Sequence, residues 1–170
     1  MKLILASSSP RRADILHHAG ISFTVLSSAV DETPYANETP QQMVQRLADA
    51  KAELVSARAV GSAIIIAADT VVMLDKQILG KPRSTDEARR MLEMLSGRTH
   101  SVITAVTLLK LPEMERRRFV ETTLVHFARL TSEDLSRYLA TGEPSTRPAR
   151  MRSRGTLADT FRGLKVAISM

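Results

Sequence analysis

Ala63-Ile64-Ile65-Ile66-Ala67-Ala68-Asp69-Thr70 is the stretch that decides how this chain is read. Six consecutive apolar residues, three of them isoleucine, are the pattern of a strand covered on both faces, and the run ends at an acid. A strand of that kind belongs to a sheet flanked by helices. A carboxylate at its end sits on the rim of the sheet, where open α/β folds hold their ligands.

The segments on either side fit the same architecture. Upstream, Met1 to Ser7 reads as a buried first strand. Ser9-Pro10 can cap and open a helix to about Ala19, with Ile15 and Leu16 inward and Gly20 as its stop. Phe23 to Leu26 is strand-like. Thr39-Pro40-Gln41-Gln42 supplies an N-cap, an N1 proline and a capping-box Gln for a helix with Met43, Leu47, Ala50 and Leu54 at helical spacing. Downstream, Thr70 to Leu79 predicts a hairpin bending at Asp75-Lys76. Ser84 with Glu87 predicts a capping box for a helix carrying Ala88, Met91, Leu92 and Leu95 and ended by Gly97. Ser101 to Leu109 and Phe119 to Phe127 read as an antiparallel pair joined by a charged connection, Pro112 to Arg118. Thr131 caps a last helix with Leu135, Tyr138 and Leu139 inward, and Gly142 closes it.

Composition narrows the function. A chain of 170 residues is enough for one domain with its own core. Cysteine is absent, which rules out a disulfide framework, a thiolate zinc site and a cysteine nucleophile, and suits a cytoplasmic protein. No apolar run approaches the ~18 residues of a membrane span, so no membrane partner is expected. The net charge of +6 invites a nucleic-acid reading, yet six basic residues and one acid lie between Ser145 and Met170. The first 144 residues hold 18 basic and 17 acidic groups, a net of +1. With aromatics at 4% there is little to stack on bases, so no specific nucleic-acid binding is expected.

Three groupings can carry chemistry. Ser7-Ser8-Ser9-Pro10-Arg11-Arg12 lies where a strand hands over to a helix N-terminus, and free backbone N–H groups, hydroxyls and two arginines suit a polyphosphate. The competing reading is a solvated helix start. Asp69-Thr70 offers a carboxylate that can bind Mg²⁺ or activate water, or one that only caps a turn. Val30-Asp31-Glu32 adds an oxygen donor for a hard cation, and Gly80-Lys81-Pro82 a point charge for a phosphate, although acids and lysines in loops are commonly just solvated. His17, His18, His100 and His126 show no metal-ligand spacing and are read as structural.

Taken in order, Leu5-Ala6-Ser7-Ser8-Ser9-Pro10-Arg11-Arg12, Val30-Asp31-Glu32-Thr33, Ala68-Asp69-Thr70-Val71-Val72, Gly80-Lys81-Pro82 and Leu95-Ser96-Gly97-Arg98-Thr99-His100 resemble the Maf family over residues 3 to 144. The resemblance implies an inosine-triphosphatase-like α/β fold, a mixed twisted sheet flanked by helices with a central cleft. It implies hydrolysis of a nucleoside triphosphate to the monophosphate and pyrophosphate, dependent on a divalent metal, Mg or Mn. Family roles fall on Asp69 as proton acceptor and metal ligand and on Glu32 as metal ligand. Ser7, Arg11, Arg12, Lys51 and Lys81 become phosphate or nucleotide contacts. The Ser-Pro-Arg-Arg and Asp-Thr pairing resembles the dTTP and UTP branch, with Arg12 and Thr70 bearing on the base; the branch preferring 7-methyl-GTP has Trp where this chain has Arg11. The family's naming also points to septum formation and a division regulator acting through partners, and a homodimer is compatible with the sequence.

The resemblance stops after Pro144. Family members continue with a segment like Phe-Asp-Lys-Ala-Gly-Ala-Tyr-Ala-Ile-Gln-Gly, whereas this chain has Ser145-Thr146-Arg147-Pro148-Ala149-Arg150-Met151-Arg152-Ser153-Arg154-Gly155. Codons exist that encode both, the family segment being read one nucleotide earlier. The same shift turns Arg162 to Met170 into a string that can read Trp-Ile-Glu-Gly-Ser-Tyr-Phe-Asn. The expectation is therefore a family domain over 1–144 and a basic, out-of-frame tail over 145–170. That tail lacks the family's Asp-Lys pair, has Arg154 in place of the specificity Gln, and loses the last strands of the sheet. A catalytically impaired nucleotide-binding remnant is the alternative to a working enzyme.

Overall fold

The computed structural model describes residues 1–140 and the backbone strand at 167–169. Gly142, the domain limit at 144 and the rest of the basic tail lie outside the described residues. In chain order the elements are β1 (Lys2–Ala6), α1 (Pro10–His18), β2 (Thr24–Val25), α2 (Pro40–Ser56), β3 (Ala63–Leu74), β4 (Gln77–Leu79), α3 (Thr85–Leu95), β5 (Thr99–Leu111), β6 (Glu115–His126), α4 (Ser132–Ala140) and β7 (Ala167–Ser169). The strands join in one mixed sheet of order β2-β1-β3-β5-β6-β7, with β4 on β3, so the α/β class holds. No helix among the described residues is long and apolar enough to cross a membrane.

Backbone contacts divide the chain into two units, Met1–Val71 with Ile103–Glu121, and Val72–Val102 with the chain from Thr122 onward. The first is built on β1 and β3, which run parallel in register from Lys2–Ala63 to Ala6–Ala67. Parallel neighbours need a covering crossover, and α2 supplies it. Its core gathers Ile4, Ala6, Ala52, Val55, Ala63, Ile65, Ala67, Leu109 and Leu111. The small alanines of β1, β3 and α2 let helix and sheet approach closely.

α2 begins as the sequence predicts. Thr39 accepts from the Gln42 N–H, and the Gln42 side chain accepts from the Thr39 N–H at 2.8 Å. Its buried face differs from the expected one. Met43, Val44, Leu47, Ala48, Lys51, Ala52 and Val55 are buried, whereas Leu54 is exposed and Ala50 half-buried. Two stripes fit the helical period equally well, and hydropathy alone selects the one without the lysine. In α1, likewise, Ile15 is exposed and no residue is buried; Arg12, Ala13 and Leu16 are the half-buried positions. Ser9 occupies the N-cap of α1 but its side chain makes no cap bond.

The predicted end of the apolar strand also moves. β3 continues through Asp69 to Leu74, so Asp69 lies within a strand and is buried. The expected charged connection shrinks to Pro112–Met114 because Arg116 and Arg118 belong to β6, two residues apart on one face. Arg116 Nη2 donates to Glu53 Oε1 at 2.7 Å and Arg118 Nε to Asp49 Oδ2 at 2.9 Å, so α2 carries the acids that let this charged stretch extend as a strand.

In the second unit β3 turns at Asp75, which takes φ +52°, into β4 in register Leu74–Gln77. The bend is where the sequence places it. Ser84 accepts from the Glu87 N–H, but the Glu87 carboxylate accepts from Arg83 N at 2.6 Å rather than from Ser84, so the capping box is only half made. Thr131 caps α4 through Asp134 N, with the Asp134 carboxylate accepting in return from Thr131 N. Ala167–Ser169 pairs antiparallel with Leu124–His126. The basic tail thus contributes one strand to the sheet.

Candidate active site

The first unit brings six of the eight candidate residues together. β1 ends at Ala6, and Ser7, buried, turns its Oγ back to accept from the Ser9 N–H at 3.2 Å. Arg12, on the first turn of α1, reaches over the end of β1: Nη1 donates to Ser7 Oγ at 3.1 Å and to the Ala68 carbonyl at 2.8 Å, and Nη2 to Thr70 Oγ1 at 3.1 Å. The ladder with β1 ends at Ala67, so the Ala68 carbonyl is the first beyond it. Thr70 Oγ1 also lies 3.0 Å from Thr104 Oγ1 on β5.

Beside this guanidinium, Lys51 Nζ lies between two carboxylates, 2.5 Å from Asp69 Oδ1 and 3.0 Å from Glu32 Oε1. Lys51 and Asp69 are about nine-tenths buried and Glu32 is partly open, at 44% side-chain exposure. Burying charges is tolerable only when they are paired. Here each has a partner of opposite sign. Burial pulls the Arg12 guanidinium down from its ordinary value, while the charges of Asp69 and Glu32 push it back up. It remains a cation at any working pH.

The arrangement therefore presents hard oxygen donors, an ammonium and a guanidinium in one place. Two carboxylates are the kind of donor by which Mg²⁺ is usually held, together with the phosphates of its substrate. No group of three or more His, Cys, Asp or Glu stands together among the described residues. His100 is buried and His126 Nδ1 bonds to Thr99.

The remaining two candidates are both exposed. Arg11 is exposed on α1 and has no hydrogen bond or ion pair among the described residues. Lys81 belongs to the second unit, exposed in the connection that follows β4. Two residues at the cluster escape a motif reading altogether. Thr104 sits in the alternating pattern of β5, where any small polar residue fits. Arg46, one and a half turns before Lys51, grips the loop that carries Glu32. For Lys51 a signal did exist: a lone charge in the middle of an otherwise apolar helix stripe, from Val44 to Val55.

The Maf-like protein family matches residues 2–158. The dTTP/UTP pyrophosphatase of Pelotomaculum thermopropionicum is 40% identical over 164 residues, 96% of this chain and 85% of its own length. Those of Pseudoalteromonas atlantica and of a Geobacillus species are each 46% identical, over 84% of this chain and 74% and 75% of their own lengths. Among solved structures, the Ham1 protein of Staphylococcus aureus is 16% identical with a TM-score of 0.49, covering 75% of this chain and 72% of its own, a likeness too slight to argue from. On the family match and the relatives' identity, this chain belongs to the Maf-like protein family.

Proposed function

We propose that this protein is a nucleoside triphosphate pyrophosphatase acting on dTTP and UTP, which releases the monophosphate and pyrophosphate with the help of Mg²⁺ or Mn²⁺. The observation that carries the reading is the Asp69–Lys51–Glu32 chain, buried at Asp69 and Lys51, beside Arg12, in a family whose relatives bear that activity in their names.

Asp69 and Glu32 would hold the metal. When bound, it supplies charge neutralisation for the polyphosphate and lowers the cost of placing that charge against two acids. The protein's own part is positional. Asp69, gripped by Lys51, takes the proton of the attacking water as its oxygen bonds to the α-phosphorus. The bond from that phosphorus to the oxygen bridging the β-phosphate then breaks, and pyrophosphate leaves. Ser7, Arg11, Arg12, Lys51 and Lys81 are assigned to the phosphates. Arg12 and Thr70, joined at 3.1 Å, are assigned to base selection. The catalytic domain is taken as residues 1–144 and the tail as out of frame; the activity belongs in the cytoplasm, with no specific nucleic-acid or membrane partner, and a homodimer is compatible with it.

The test is pyrophosphate release from dTTP, UTP and a purine triphosphate with Mg²⁺, comparing the wild type with Asp69→Asn. Turnover of the two pyrimidine nucleotides that falls by about 10²–10⁴-fold in Asp69→Asn supports the reading. A variant as active as the wild type removes Asp69 from the chemistry.

A further inference from the structure

Glu32 sits on an exposed segment without helix or strand. Residues 31–37 are all exposed and belong to no helix or strand. Fixing such a backbone costs about 1–2 kcal/mol per residue, so an ordered loop needs specific ties. Within the loop, Asp31 Oδ1 accepts from Thr33 N at 2.9 Å and from Thr33 Oγ1 at 2.6 Å, and Glu38 Oε2 accepts from Tyr35 N at 3.1 Å.

The ties to residues 33–38 from α2 converge on one guanidinium. Arg46 Nε donates to Glu38 Oε1 at 2.6 Å, Nη2 donates to Glu38 Oε2 at 2.8 Å and to the Thr33 carbonyl at 3.1 Å, and Cζ stands 3.8 Å above the centre of the Tyr35 ring. A fork of this kind fixes orientation as well as distance, which an ammonium cannot do. Both grips come from one rigid element: on α2, Arg46 holds residues 33–38 and Lys51 holds Glu32. Arg46 is outside the buried apolar face of α2, so the core does not depend on it.

We propose that Arg46 is a positioning residue for the metal-binding carboxylate, clamping the 33–38 loop from α2 so that Glu32 stays in register with Asp69. The proposal rests on the reading of Glu32 and Asp69 as metal ligands. Groups that orient a ligating carboxylate are worth about 10–100-fold in metal affinity.

Two measurements on the full chain test it: Mn²⁺ affinity without nucleotide, and the Mg²⁺ concentration giving half-maximal pyrophosphate release. In Arg46→Met both should weaken about tenfold or more, with kcat at saturating metal held within about threefold and helix content unchanged. Arg46→Lys, which keeps the charge but not the fork, should fall between. If Arg46→Met fails to fold, Glu38→Gln opens the same clamp from the loop side and should weaken Mn²⁺ in the same direction. A folded Arg46→Met or Glu38→Gln with Mn²⁺ affinity within about twofold of wild type overturns the clamp. Glu32→Gln separates the two ideas: a loss there without a loss in Arg46→Met sinks the clamp alone, and no loss in Glu32→Gln sinks the metal assignment with it.

Discussion

Lys51 shows what a single residue decides here. Its ammonium is the positive charge between two acids in a largely dry place, and removing one member of a buried pair leaves the others uncompensated. Lys51→Met should therefore lose about 3–5 kcal/mol of stability at neutral pH, measured by urea unfolding. If the acids take a divalent cation, millimolar Mg²⁺ should raise the melting temperature of this variant more than that of the wild type. Thr104 acts more gently. Its hydroxyl meets that of Thr70, which also accepts from Arg12, so it helps set the plane of the guanidinium. One neutral hydrogen bond is worth about 0.5–1.5 kcal/mol, or roughly two- to tenfold in a rate ratio. Thr104→Val should shift the dTTP to UTP ratio of kcat/KM by that amount while Thr104→Ser keeps it. An unchanged ratio in Thr104→Val would take the residue out of base selection.

At the scale of elements, α2 links local signals to the site. Its capping box is fully made, so Thr39→Ala should cost about 1 kcal/mol by thermal unfolding without altering metal affinity. β5 carries a different vulnerability. His100 is buried there with Nδ1 unpartnered among the described residues, and burial pushes its pKa below the ordinary value. The unfolded chain then binds a proton that the folded one resists, so stability present above about pH 6.5 is lost as the pH falls through that value toward the folded pKa. Unfolding midpoints at pH 7.5, 6.5 and 5.5 should decline in the wild type and flatten in His100→Gln. The elements themselves were legible wherever a local rule acts alone: the Thr39 cap, the Asp75 bend, the apolar β3 run. They were illegible where partners far along the chain decide. Arg116 and Arg118 read as loop until Glu53 and Asp49 are seen to receive them, and Lys51 lies on a buried stripe only because Asp69 and Glu32 wait beneath it. Ser7, Arg12, Glu32, Asp69 and Thr70 were found by motif, yet their mutual hydrogen bonds follow from the register of β1 on β3, which no motif states.

Across the whole chain, charge is distributed in a way that a single working domain does not require. Residues 1–144 are nearly neutral at +1, and the remaining 26 residues hold +5. A basic arm for nucleic acid would explain the charge; an out-of-frame tail would explain it too, as codons exist for which a one-nucleotide shift gives a family-like segment. Only three of the 26 residues have a described place in the sheet, Ala167–Ser169 beside β6. The out-of-frame reading therefore makes a sharper demand than the nucleic-acid one. Replacing 145–170 by the shifted reading should remove the excess charge, restore the Asp-Lys pair and the Gln at the position of Arg154, and raise kcat/KM for dTTP by about tenfold or more, the equivalent of about 1.4 kcal/mol of transition-state binding. Pyrophosphate release by the two forms, side by side, checks it. Equal rates would mean that the first 144 residues carry the chemistry unaided, and resequencing the locus without finding a compensating frame would return the basic tail to the protein as a genuine part of it.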